Sequence, residues 1–234
     1  MNQVTICIPN LNGGPFMEMA FMSARRYMPG SKIWISDHGS SDGSVEFCKK
    51  SADRYLQIQP GTGSHGVLID EWSLSVETDF FLLMDCDVEI LKFPIGKAIA
   101  LMVSDESISA IDGSSFEIGG IPYTDNGQQY IQQSRIDPSF ALIRTAHSRE
   151  LVKAGDSWGF RTAGNELFDT GAWFKRKTLS IGRNVGRCSE MKESHIHYGN
   201  VSWARNPAAP FETLKKYVSN RELVETRLKT IYGQ

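Results

Sequence analysis

Phe80-Phe81-Leu82-Leu83-Met84 is an unbroken apolar run that ends in two carboxylates, Asp85 and Asp87. A run without polar alternation fits an inner strand of a parallel sheet, covered by helices on both faces. The acidic pair then falls at the carboxyl end of that strand, the edge of an open α/β sheet where ligands bind. Two carboxylates this close repel each other unless a cation lies between them. Oxygen ligands favour a hard ion such as Mg²⁺ or Mn²⁺, and such ions bridge readily to phosphates. The plainer alternative is a solvated acidic turn after a strand.

The chain before this run alternates strand and helix. Val4–Ile8 is β-rich and ends at the turn residues Pro9-Asn10-Leu11-Asn12-Gly13-Gly14. Residues 15–28 carry an apolar stripe at helical spacing, with Pro15 in the first turn. A second strand over 33–35 runs into Asp37-His38-Gly39-Ser40-Ser41-Asp42-Gly43-Ser44, where Asp42 or Ser41 is placed to cap a helix over 45–52. A third strand over 55–58, a Gly-rich loop over 61–66 and a helix over 67–76 lead to the organising strand. The pattern predicts a doubly wound α/β layout, a mostly parallel sheet with helices on both faces. The loops at the strand carboxyl ends would hold Asn10, Asn12, Asp37, His38, Asp85 and Asp87, and a nucleotide would lie across them. No Gly-x-Gly-x-x-Gly opens the first helix and no Gly-x-x-x-x-Gly-Lys-Ser/Thr occurs, which disfavours dinucleotide oxidoreductases and P-loop NTPases.

The second half is less regular. Helices are expected over 93–103, 148–154, 165–175 and 212–231, and strands over 108–111 and 139–143. Residues 113–133 read as a loop or hairpin over the sheet. The 234 residues suffice for one large domain, and no linker or repeat divides them. We read residues 1–234 as one domain, with a donor half over 1–90, an acceptor half over 91–205 and a C-terminal helix over 206–234. The four cysteines (Cys7, Cys48, Cys86, Cys188) are widely spaced without a Cys-x-x-Cys pair, as expected of reduced thiols in a cytoplasmic protein. No apolar run approaches the roughly 20 residues of a membrane span, and no signal peptide is recognised at the N-terminus. The amphipathic C-terminal helix would pack on the domain or rest on a partner or a membrane surface. Charge is uneven: residues 1–126 carry 8 Lys or Arg against 17 Asp or Glu, and residues 127–234 carry 17 against 10. The basic half would face an anionic partner or simply balance the acidic half.

Four motifs in order resemble the family 2 glycosyltransferases of the GT-A fold: Val4–Asn12, an opening strand with a Pro-x-x-Asn loop; Ile35–Ser44, an acidic turn followed by Gly-Ser-x-Asp-Gly; Leu83–Asp87, an Asp-x-Asp; and Phe168–Phe174, where that family places its catalytic base. A weaker fifth, His197–Trp203, is similar to a late His-x-Gly segment that supplies a metal ligand. The resemblance spans about residues 3–205. It implies transfer of a sugar, with inversion, from a nucleoside-diphosphate sugar to an acceptor hydroxyl, assisted by Mn²⁺ or Mg²⁺. It implies Asp87 as the direct metal ligand, Asp85 at the metal or the ribose, and His197 as third ligand with His195 as alternative. Asp169 would be the base, with Glu166 as runner-up three residues earlier on the same helical face. Pro9, Asn10, Asn12, Asp37, His38 and Gly66 would surround the donor. Two departures stand out. His38 occupies a position where the family often has a second acid, which leaves the nucleotide base open. Phe168 replaces a frequent Glu, so the base role rests on Asp169.

The expected acceptor is a saccharide or a glycolipid, with a hydroxymethylated DNA base as the alternative that the basic half permits. A catalytically inactive nucleotide-sugar-binding protein is the reading from outside enzymology, and intact Asp85, Asp87 and Asp169 speak against it.

Overall fold

The computed structural model describes residues 4–58, 65–113, 120–125, 127–199, 201 and 209–233. Its first half follows the predicted alternation: β1 Val4–Asn10, α1 Gly14–Tyr27, β2 Lys32–Asp37, α2 Ser44–Ser51, β3 Arg54–Gln57, α3 His65–Ser75 and β4 Phe80–Met84. Then come β5 Val88–Ile90, α4 Gly96–Ser104, β6 Ile108–Asp112, β7 Ile121–Asp125, β8 Gln128–Gln132, β9 Phe140–Arg144, α5 Thr145–Lys153, β10 Arg161–Ala163, β11 Glu166–Phe168, α6 Ala172–Ser180, β12 Asn184–Arg187, α7 Ser189–Lys192, β13 His195–His197 and α8 Phe211–Arg227, which runs into a π-helical turn Leu228–Tyr232.

The central sheet has the order β12-β6-β9-β4-β1-β2-β3. β9 alone runs antiparallel to its two neighbours. β4 lies in the middle, and all five of its residues are buried. Alternation along the strands divides the core into two layers. Leu82 and Met84 join Ile6, Ile8, Ile33 and Ile35 on the face covered by Met17, Ala20 and Ala24 of α1 and Ala98 and Met102 of α4. Phe81 and Leu83 join Cys7, Ala141 and Ile143 on the face covered by Leu68, Ile69 and Trp72 of α3, Leu151 of α5 and Phe174 of α6. Each such apolar side chain contributes about 1.5–3 kcal/mol on burial, which is why the least polar run takes the middle of the sheet. The predicted α/β class and mostly parallel sheet are both present.

The sheet order reverses between β1 and β4. β2 and β3 extend to one side of β1, and β4 lies on the other. The loops after β1 and β4 therefore diverge around a crevice, the position at which an open α/β sheet takes its ligand. β5 pairs with β13 as a separate antiparallel ribbon, with Val88 facing His197 and Glu89 facing Ile196. A third, four-stranded sheet, β10-β11-β8-β7, carries the hairpin expected within 113–133.

Three expectations are corrected. The helix predicted over 165–175 is instead a β10–β11 hairpin turning at Gly164-Asn165, then the turn Asp169–Gly171, then α6. Gly164 (φ +60°) and Gly171 (φ +85°) sit in the left-handed region, and a Cβ at Gly171 would strike the Ile136 carbonyl oxygen. Glu166 is thus in a strand, and its shared helical face with Asp169 does not exist. The helix expected from residue 93 starts at Gly96, after Pro94, because the residue before a proline is pushed out of the helical region. Finally, His65 and Gly66 belong to α3 and not to the preceding loop, whose residues 61–64 lie outside the described ones.

Candidate active site

Asp85 and Asp87 leave β4 at the crevice, where the Asp85 amide donates to the Ser139 carbonyl (2.9 Å) and so fixes the turn to the end of β9. The β5–β13 ribbon brings in a residue more than a hundred positions later. The Tyr198 amide donates to the Asp87 carbonyl (3.0 Å), and His197 Nε2 comes to 3.1 Å from Asp87 Oδ1 and 3.9 Å from Asp85 Oδ2. One ligand atom from each of Asp85, Asp87 and His197 lies within 4.8 Å of the others. His195 is directed elsewhere. Its Nδ1 lies 2.9 Å from the Met191 carbonyl, and its ring packs on Phe140 with centroids 4.1 Å apart.

The electrostatics of the trio are those of a site short of positive charge. Burial, and then the Asp87 carboxylate, push the Asp85 pKa up to about 7. Burial disfavours a charged His197, but its hydrogen bond to Asp87 and the field of Asp87, Asp85 and Asp137 prevail and raise it to about 9. A divalent cation would take the place of those protons. Two carboxylates and an imidazole suit Mn²⁺, and Mg²⁺ less completely, because imidazole is a better ligand for the transition metal.

A second set of charges lies near the trio, close enough for Arg135 and Asp137 to act on Asp85. Asp169, in the turn between β11 and α6, accepts the Thr170 amide (2.7 Å) at Oδ1 and pairs through Oδ2 with Arg135 Nη1. Arg135 Nη2 also lies 3.9 Å from Asp137 Oδ1. His65, at the start of α3, points its Nε2 to within 3.8 Å of Asp85 Oδ1. Burial, and then the Arg135 guanidinium, hold its pKa down to about 4, so its ring is neutral at pH 7. Arg135 is a lone basic residue in an irregular segment, and no sequence pattern marks it. His65 stands in a Gly-rich stretch that reads equally well as a linker. Glu166, the runner-up base, is paired with Arg176 at 2.7 Å.

The residues expected around the nucleoside hold the loops in shape. Asn10 and Asp37 are fully buried. Asn10 Nδ2 donates to Asp37 Oδ2 (2.6 Å) and Ser44 Oγ (2.9 Å), while Asp37 Oδ1 accepts the amides of Gly39 (2.9 Å) and Ser40 (2.8 Å). Asn12, at φ +52°, accepts the Ser41 amide (2.8 Å). The His38 amide donates to the Asn10 carbonyl (2.8 Å), and the partly exposed Pro9 lies opposite Ser36 in the β1–β2 register. The loops after β1 and β2 are thus knitted into one rim. Gly66 is the point where α3 meets the chain at Trp158-Gly159: a Cβ there would fall against the Gly159 backbone and 2.7 Å from the Trp158 carbonyl carbon. Trp158 is a core residue stacked on Phe174 (4.1 Å). Trp173 is half-buried between Arg161 and Lys177.

No family model matches the chain, and no curated protein matches it in sequence. Solved structures do. Residues 1–349 of S. aureus TarS superpose with a TM-score of 0.56 at 13% identity, over 99% of this chain and 75% of that one. The mannosyltransferase PcManGT from Pyrobaculum calidifontis, solved with GDP-Man and Mn²⁺, superposes with a TM-score of 0.56 at 12% identity, over 95% of this chain and 69% of that one. Both are GT-A glycosyltransferases. This chain has the GT-A fold. Within that fold Asp85, Asp87 and His197 converge at the carboxyl edge of the central sheet, and the Arg135–Asp169 pair lies near them. Among the described residues no helix is long and apolar enough to cross a membrane.

Proposed function

We propose that the protein is an inverting, metal-dependent glycosyltransferase that moves a sugar from a nucleoside-diphosphate sugar to the hydroxyl of a saccharide or glycolipid. One observation carries the reading: in a GT-A fold, Asp85, Asp87 and His197 bring three ligand atoms within 4.8 Å of one another at the switch point of the sheet. On this reading residues 1–90 form the donor half, residues 91–205 the acceptor half, and residues 206–234 the closing C-terminal helix.

Asp87, Asp85 and His197 would hold a divalent ion. Its positive charge, when bound, would stabilise the departing nucleoside diphosphate. The rim knitted by Asn10, Asn12 and Asp37, with Pro9 and His38 on it, receives the nucleoside. Asp169 accepts the proton of the attacking hydroxyl. A single displacement assisted by a base, with no covalent intermediate, inverts the anomeric centre. The acceptor enters beside the β10-β11-β8-β7 sheet, because β11 runs directly into Asp169. That sheet presents Tyr123, 44% exposed, with Tyr130 opposite it across the hairpin. Aromatic faces of this kind suit the apolar face of a sugar ring.

Release of nucleoside diphosphate from a panel of nucleotide sugars, with Mn²⁺ and oligosaccharide acceptors, tests this for wild type and Asp169→Asn. One donor is expected to be turned over, with a loss of about 10²–10⁴-fold in Asp169→Asn, the range of general-base catalysis. An Asp169→Asn enzyme as fast as wild type would remove the base assignment.

A further inference from the structure

Two polar side-chain atoms near the trio and the base are buried and have no hydrogen-bond partner among the described residues: His65 Nε2 and Arg135 Nε. One stands beside the metal-ligand trio and the other beside the base, and the Arg135 guanidinium is the strongest charge acting on the His65 ring. His65 Nε2 is on the trio's side, 3.8 Å from Asp85 Oδ1. Arg135 is on the base's side, with Nη1 on Asp169 and Nη2 3.9 Å from Asp137. The two carboxylates fix the plane of the guanidinium and leave its Nε–H uncommitted. His65 is held as firmly, because the next residue, Gly66, is packed against the Gly159 backbone. Buried polar groups in native proteins are paired with few exceptions, and an exception in a cleft points to a ligand that completes it.

We infer that His65 Nε2 and Arg135 Nε form a hydroxyl-recognition subsite for the transferred sugar of the donor. The inference rests on the proposed function: the reacting sugar would lie between the diphosphate and Asp169, and these two atoms stand beside Asp85 and Asp169. A hydroxyl can accept from the Arg135 Nε–H and can donate to or accept from the imidazole nitrogen, whichever tautomer is present. A phosphate suits the position less well, because Asp137 and Asp169 already balance the Arg135 guanidinium. A site built to pair a hydroxyl discriminates strongly against a ligand that lacks it, since the buried atoms are then left unpaired.

Calorimetry with Mn²⁺ tests this with matched ligands: UDP and UDP-glucose, GDP and GDP-mannose, dTDP and dTDP-glucose. The pair that wild type binds is then carried to two separate variants. His65→Phe keeps the ring volume and removes the nitrogen. Arg135→Lys keeps a cation toward Asp169 and Asp137 and removes the Nε–H. Each variant is expected to bind the nucleotide sugar about tenfold more weakly and the free nucleoside diphosphate within about twofold of wild type. Equal losses for both ligands, or no loss for the sugar in either variant, overturn the subsite and leave the proposed function standing. A wild type that binds no nucleotide in any pair removes the proposed function and the subsite with it. Thermal melts identify a variant that fails to fold, in which case the other decides.

Discussion

Arg227 closes on Glu89 with two hydrogen bonds, Nε to Oε2 and Nη2 to Oε1, each 2.8 Å. Glu89 is fully buried two residues beyond Asp87 and also accepts the hydroxyls of Tyr198 (2.8 Å) and Tyr232 (3.0 Å). The C-terminal helix is thereby fastened to the ribbon that holds Asp87 and His197 together. Removing one partner of a buried ion pair costs about 3–5 kcal/mol, because the other charge remains without its counterion. Arg227→Met should lose stability of that order in denaturant melts, and its affinity for Mn²⁺ should fall as the ribbon loosens. Glu89→Gln/Arg227→Met should recover part of the stability. A single Arg227→Met variant with wild-type stability would show the clasp to be unimportant.

The two histidines of β13 should separate cleanly. His197→Ala should weaken Mn²⁺ binding by at least about tenfold, as loss of a ligand exceeds the effect of a supporting residue. His195→Ala should leave it near wild type, since that ring faces Met191 and Phe140. Paramagnetic titration of Mn²⁺ reads both, and equal effects would contradict the assignment.

Gly66 tolerates no side chain. Gly66→Ala would press its methyl onto the Gly159 backbone, and backbone cannot yield as a flexible side chain does. A loss of about 1–3 kcal/mol is expected in chemical denaturation. An unchanged midpoint would mean that α3 can slide away from Trp158-Gly159.

His147 sets a pH dependence of stability. Its Nδ1 lies 2.9 Å from Ser109 Oγ, and burial, then Arg183 and Arg144, lower its pKa from 6.5 to about 4, Glu150 opposing. The unfolded chain therefore takes up the proton first as pH falls. The contribution of His147 to stability is complete above about pH 6.5, is lost as pH drops toward about 4, and changes little below. Melts of wild type and His147→Gln between pH 4 and 7 should show the variant less sensitive to acid. Parallel curves would place the acid sensitivity elsewhere.

Much of residues 1–90 is legible because its physics is local. The run at Phe80–Met84 suits an inner strand, and the turn residues after each strand mark where the loops fall. Asp85 and Asp87 follow from adjacency. His197 needed the resemblance, since a ribbon joining residues over a hundred positions apart leaves no local trace. The same holds for Arg227 on Glu89 and for Arg135 on Asp169. The helix expected over 165–175 failed for a different reason. Gly164-Asn165 is a two-residue hairpin signal, but the charge pattern of 165–175 also satisfies a helix, and the pairing of β11 with β10 and the distant β8 decides for the hairpin. Asn10 and Asp37 lie in the expected loops, but their polar atoms are engaged with each other and with the loop backbone. That mutual saturation is a tertiary fact that residue type does not reveal.

The central claim is a nucleotide held through a metal at Asp87. Calorimetric titration of nucleoside diphosphates in Mn²⁺ and in chelator, for wild type and Asp87→Ala, tests it most directly. One nucleotide is predicted to bind wild type with Mn²⁺ only, and Asp87→Ala is predicted to abolish the binding. Binding that survives chelator and the Asp87→Ala change alike would contradict the claim.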